Sequence, residues 1–228
     1  MYQHLVKMNR HSAAVLLLLL LCSDILFNLF HIIQHTLVSI SSPNYIWLET
    51  SLEIYHLIKL FWIVVLFIYL LKLTRFPGYI SWLLVFIFIL IDDAFLLHQK
   101  IGFQVAEDLY PFLPATLRLP PRFFEIAVLA VVGFIVMAIV AWTYFHSSRI
   151  FRKISQDLLI FILALVFFGA IVDLVAALSF GHEVIMGFVI IEDGGEMVVL
   201  SLILWYIFLL AMRNGNPDLF LLDSLVKH

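Results

Sequence analysis

The chain has 228 residues, 64% of them hydrophobic and only 13% charged, with a mean hydropathy of +1.10. That excludes an ordinary soluble domain, in which about 45–50% of residues are apolar and about a quarter are charged. A net charge of -3 argues against a nucleic-acid partner, and the single cysteine, Cys22, excludes an internal disulfide or a cysteine-based zinc cage.

Apolar runs recur along the whole chain, each close to the roughly 20 residues that cross a bilayer. The fold expected is an all-α integral membrane protein: a bundle of about six transmembrane helices forming one domain over residues 1–228. Lys7 and Arg10 ahead of Ala13–Leu21 have the pattern of a signal peptide. Leu21 before Cys22 is too large for lipoprotein processing, so the segment reads as a retained first helix, about 12–40, ended by Ser41, Ser42 and Pro43. The second helix is expected at about 46–73, ended before Pro77 and Gly78, and the third at about 79–99. A long loop with Pro111, Pro114, Pro120 and Pro121 follows. The remaining helices are expected at about 122–146, 156–180 and 184–212, with Gly194 and Gly195 as a kink or break in the last.

Basic residues set the orientation, because Lys and Arg concentrate in cytoplasmic loops. Lys7, Arg10, Lys72, Arg75, Arg149, Arg152, Lys153 and Arg213 fall on one side of this arrangement, against Lys100, Arg118 and Arg122 on the other. The expected location is therefore the inner (plasma) membrane, multi-pass, with both termini cytoplasmic.

Charged groups in a span cost roughly 2.5–3.5 kcal/mol each on insertion scales, so each needs a partner, water or a metal. On the first helix, Asp24, Asn28, His31 and His35 lie at offsets that place them along one stripe. The second begins with Glu49, Glu53, His56 and Lys59, and the third ends with Asp92, Asp93 and His98. Glu125 opens the fourth, Asp173 lies near the end of the fifth, and Glu192, Asp193 and Glu196 lie early in the sixth. From His31 onward these groups fall in the outer half, and the inner half is expected to hold almost nothing comparable. Spacing of five or six residues should keep His98 off the faces of Asp92 and Asp93, so those two carboxylates are expected to serve different neighbours.

Glu53 with His56 is one copy of the Glu-x-x-His element that holds metals in di-metal carboxylate bundles; the alternative is a hydrogen bond within the helix. His31 with His35 is an i, i+4 pair able to chelate a metal or to pack as a satisfied pair. Asp173, beside Gly169 and Ala177, suits tight helix packing. Trp47, Trp82 and Trp205 fit interface anchoring.

The string from Asp92 through His98 and the later Glu192-Asp193-Gly194-Gly195-Glu196 resemble a group of uncharacterised bacterial polytopic membrane proteins. These share an acidic helix end running into Leu-His-Glu and a Glu-Asp-Gly segment. Gln99 stands where the resemblance implies Glu. The resemblance spans most of the chain from the third helix onward. It implies a common site and no particular chemistry.

The leading expectation is a metal site in the outer half, with His31, His35, Glu53, His56, Asp92, His98, Glu125, Glu192 and Glu196 as candidate ligands and Asp93 and Asp173 as candidate catalytic groups. Zinc, or a di-iron or di-manganese pair, suits those donors. Such a site would serve a membrane hydrolase or oxidoreductase acting on a membrane lipid. The alternatives are a proton or cation channel or transporter with an acidic outer vestibule, and a structural subunit of a larger membrane complex. Oligomerisation stays open.

Overall fold

The computed structural model describes residues 2–38, 46–114, 118–172, 174–175 and 182–213. Among them are seven α-helices and no strand: α1 Tyr2–Val38, α2 Ile46–Thr74, α3 Tyr79–Phe95, α4 Leu97–Leu109, α5 Pro121–Phe145, α6 Arg149–Val166 and α7 His182–Met212. Among the described residues, five apolar stretches are long enough to cross a membrane: Ala13–Ile33, Leu52–Thr74, Pro121–Phe145, Arg149–Val172 and Ile190–Met212. A sixth arises if the bent pair α3–α4 counts as one span. These lengths and compositions are compatible with a multi-pass membrane protein.

The bundle has two ends, one where α1 finishes and α2 begins (the α1/α2 end) and one where α2 meets α3 (the α2/α3 end). Helix α7 is the most enclosed element and packs on α1, α2 and α6. Its buried residues Leu200, Ile203, Ile207 and Leu210 meet Leu60, Ile63, Phe67 and Leu70 of α2, Trp82 and Phe86 of α3, and Ile154 and Leu158 of α6. That apolar core fills the half of the bundle toward the α2/α3 end. At that end Trp205 donates its indole N–H to the Ala13 carbonyl (2.9 Å), tying α7 to α1. Helix α5 is peripheral: Val140 is its one buried residue among those described, while Phe134, Trp142 and Phe145 are exposed.

Three local features depart from the sequence reading. The third helix does not run to residue 99. It stops at Phe95, Leu96 takes a left-handed conformation (φ 51°), and α4 continues at 65° to α3. Much of the expected proline-rich loop is therefore helical up to the 3-10 turn Tyr110–Phe112. The reason is Asp92: one carboxylate oxygen accepts the His98 backbone N–H (3.0 Å), serving a donor of the first turn of α4 that has no partner within the helix. Next, α6 begins seven residues before the expected position 156. Ser148 caps it, accepting the Phe151 backbone N–H at 3.4 Å. Arg149, Arg152 and Lys153 thus belong to the helix, and Asp157 lies two turns inside it. Lastly, Gly194 and Gly195 do not break α7, which runs without interruption through them.

Replacing Asp92 with Ala removes that cap. The expected result is a loss of about 1–2 kcal/mol, seen as a lower midpoint of thermal unfolding in detergent, with faster amide exchange confined to the start of α4.

Candidate functional site

The polar residues toward the α1/α2 end are held by contacts between helices. On α1, the Asn28 amide donates to the Asp24 carbonyl one turn earlier (2.9 Å) and to the Met197 sulfur of α7 (3.5 Å). The expected stripe therefore faces α7. A Cβ on Gly194 would come within 3.3 Å of the Asn28 side-chain oxygen, and one on Gly195 would meet the Phe168 ring. The glycine pair thus serves close approach of α1 and of the chain after α6, instead of a kink.

That chain, Phe167–Val172, is a π-helical turn continuing α6. Such turns alter which side chains face a neighbour. Here the turn sets Gly169 directly against Glu196 Oε1. Gly195→Ala is expected to cost about 1–3 kcal/mol through overpacking against Phe168. Gly133→Ala, made in open space on α5, should leave the unfolding midpoint in detergent unchanged.

Asp24, near the middle of α1, is 1% exposed and forms an ion pair with Lys59 of α2, 2% exposed. Its other oxygen accepts the Ser201 hydroxyl of α7 (2.7 Å), and Tyr55 OH approaches at 3.3 Å. Lys59 also donates to the Met197 carbonyl (3.0 Å) and lies 4.4 Å from the centre of the Tyr55 ring. That ring stacks on Phe27 at 4.2 Å. Three helices are joined here by a charge pair whose lone pairs and protons are largely used, the condition for holding ions away from water.

One turn along α2 toward the α1/α2 end, half-buried His56 stands between two helices. Its Nε2 faces Asp93 of α3 at 3.3 Å, and its Nδ1 faces Glu196 of α7 at 3.8 Å. On the other side of Asp93, buried Asp92 accepts Nδ1–H of His98 at 2.7 Å. Half-buried Glu125 of α5 lies within electrostatic reach of His98. The two adjacent aspartates do serve different neighbours, but the break at Leu96 brings His98 back to Asp92, which an unbroken helix would not do.

The structure therefore brings together Asp24, His56, Lys59, Asp92, Asp93, His98, Glu125 and Glu196, mostly as pairs and short chains. Glu53, one turn before half-buried His56 on α2, is exposed. His31 and Glu192 are half-buried, on α1 and α7. Side-chain placement for His35, and all placement for Asp173, fall outside the described residues. Among the described residues, no group of three or more His, Cys, Asp or Glu is arranged to hold a metal ion.

Sequence reasoning singled out Asp24 and Lys59 without pairing them, and it missed Tyr55 and Ser201, whose hydroxyls complete the Asp24 site. A buried lysine and a buried aspartate in adjacent spans are the signal that would have joined them, since each needs an opposite charge. It also missed polar groups toward the α2/α3 end. There Asp157 of α6 is buried and accepts the Tyr206 hydroxyl of α7 (2.8 Å). Trp82 donates to Ser155 (3.0 Å) and Thr143 to Ser81 (2.9 Å). The expectation that this half holds almost nothing comparable is thereby corrected. With α6 placed at 156–180, Asp157 would have stood at a wet helix end instead of inside the bundle.

No curated protein and no solved structure matches the chain. A family model does, over residues 12–212, a stretch that takes in all of the groups above. The chain belongs to the family described as a domain of unknown function, DUF8692.

Proposed function

We propose that this chain is a multi-pass protein of the inner (plasma) membrane, with both termini cytoplasmic, that takes up protons, or cations in their place, from the outer side. It is read as a proton- or cation-handling transporter or channel. The supporting observation is the ladder of ionisable groups from α1, α2, α3 and α7 that ends in the enclosed Lys59–Asp24 pair. Ionisable groups inside a span are costly and mark ion or proton pathways by default. A bundle that needed only packing could place leucine at those positions.

The chemistry is that of an imidazole between two acids. A proton passes from the Asp93 carboxyl to Nε2 of His56 while Nδ1–H passes one to Glu196, so His56 ends neutral with its tautomer exchanged. The 3.8 Å separation to Glu196 closes with a small side-chain rotation. Lys59, one turn deeper, pairs with Asp24 and limits how many positive charges the site accepts. The exposed apolar face of α5 suits contact with membrane lipid.

Purified protein in sealed vesicles with a pH-sensitive dye inside tests this. Under an imposed membrane potential the vesicles should acidify. Replacing the external sodium and potassium with a bulky organic cation separates proton from metal-cation flux, and no flux of either kind would overturn the reading.

A metal centre of the zinc, di-iron or di-manganese kind, in an enzyme acting on lipid, is the second reading. It is favoured by the position of His56 between carboxylates of two helices. It requires stoichiometric metal in protein extracted without chelator, lost in His56→Ala.

A further inference from the structure

We propose that Asp157 and Tyr206 form a second proton-holding station toward the α2/α3 end, so that the route begun at His56 continues across the bundle instead of ending at Asp24. This rests on the reading above. Asp157 is 1% exposed and Tyr206 3% exposed, and they meet across α6 and α7 at 2.8 Å. The Tyr206 ring belongs to the apolar core, edge-on to Phe161 at 5.7 Å between ring centres, whereas Asp157 adds no apolar side chain to a core formed around it by Leu158, Phe161, Ile203 and Ile207. A buried carboxylate there costs free energy that a leucine would not.

The placement on α7 carries the argument further. Glu196, Ser201 and Tyr206 follow one another at five-residue intervals on the most enclosed helix, so each is turned to a different neighbour. Glu196 faces His56 of α2, Ser201 faces Asp24 of α1 and Tyr206 faces Asp157 of α6. Five residues of helix rise about 7.5 Å. Ser201 and Tyr206 face different sides of α7, and the space between them is packed with apolar side chains, Ile203 and Leu204 among them, so the route requires water to enter between these side chains.

Around this station are Tyr206 of α7 and Tyr79 of α3, which interacts electrostatically with Tyr206, and Lys153 lies one helical turn before Asp157 on α6. A proton delivered by water neutralises the Asp157 carboxylate. Its release toward the α2/α3 end, past Tyr79, restores the carboxylate, one proton entering for each one leaving. The Tyr206 hydroxyl holds the acceptor oxygen in place in both states.

Vesicle flux of the full-length protein tests the station with Asp157→Asn, Asp157→Glu and Tyr206→Phe beside the native chain and His56→Gln. Proton flux should fall about tenfold or more in Asp157→Asn, the scale on which a positioned proton-transfer group acts, and return in part in Asp157→Glu. Detergent-solubilised Asp157→Asn should elute as the native protein does. Native flux in a folded Asp157→Asn, with flux lost in His56→Gln, would overturn the station and leave the outer site standing. No flux in the native chain would overturn both. Should Asp157→Asn fail to fold, Tyr206→Phe decides, because the station requires a severalfold loss there and unchanged flux refutes it.

Discussion

Lys59→Met is expected to destabilise the protein by about 3–5 kcal/mol, because it leaves the Asp24 carboxylate buried without its cation. Asp24 is 1% exposed, and the Ser201 and Tyr55 hydroxyls alone cannot balance a full charge at that depth. The paired change Lys59→Met with Asp24→Leu should recover most of the loss, since breaking a buried pair costs more than replacing it with apolar groups of similar size. In the double variant Ser201 can turn its hydroxyl to the Met197 carbonyl four residues earlier, which Lys59 occupies in the native chain. The unfolding midpoint in detergent, read for both single variants and the double, decides the matter. Additive losses would mean that the two residues do not act as a pair.

His56→Gln should lower proton flux by about a hundredfold, within the range a positioned acid–base group contributes, while the folded protein is retained. Glutamine keeps hydrogen-bonding atoms between Asp93 and Glu196 but cannot exchange a proton between two nitrogens. The expected split is thus large in flux and small in stability, the reverse of Lys59→Met. A His56→Gln protein with native flux would remove the imidazole from the route. Under the metal reading, the same variant would instead lose bound metal.

How far these groups were legible in the sequence depended on whether their signal was local. The one-sided gathering of His56, Asp92, Asp93, His98 and Glu196 could be read by counting direction along successive helices, because depth in an up-and-down bundle follows from sequence position. Pairings could not. His98 reaches Asp92 only because Leu96 leaves the helical conformation, and no apolar period announces a break that a carboxylate cap stabilises. Asp157 was hidden by a helix boundary: a serine cap at Ser148 starts α6 while the charges of Arg149, Arg152 and Lys153 still look like a loop.

The sequence by itself determined the helical class, the recurrence of long apolar helices along the chain, and the end of the bundle at which most ionisable groups collect. These follow from composition and from the length of apolar runs, which involve only neighbours along the chain. Tertiary structure alone decided that Lys59 meets Asp24, that His56 stands between Asp93 and Glu196, and that Asp157 lies buried beside Tyr206. The rotation of each helix about its axis selects those partners, and for α7 against α1 and the chain after α6 it goes with close packing at Gly194, Gly195 and Gly169. Hydropathy carries no record of that angle.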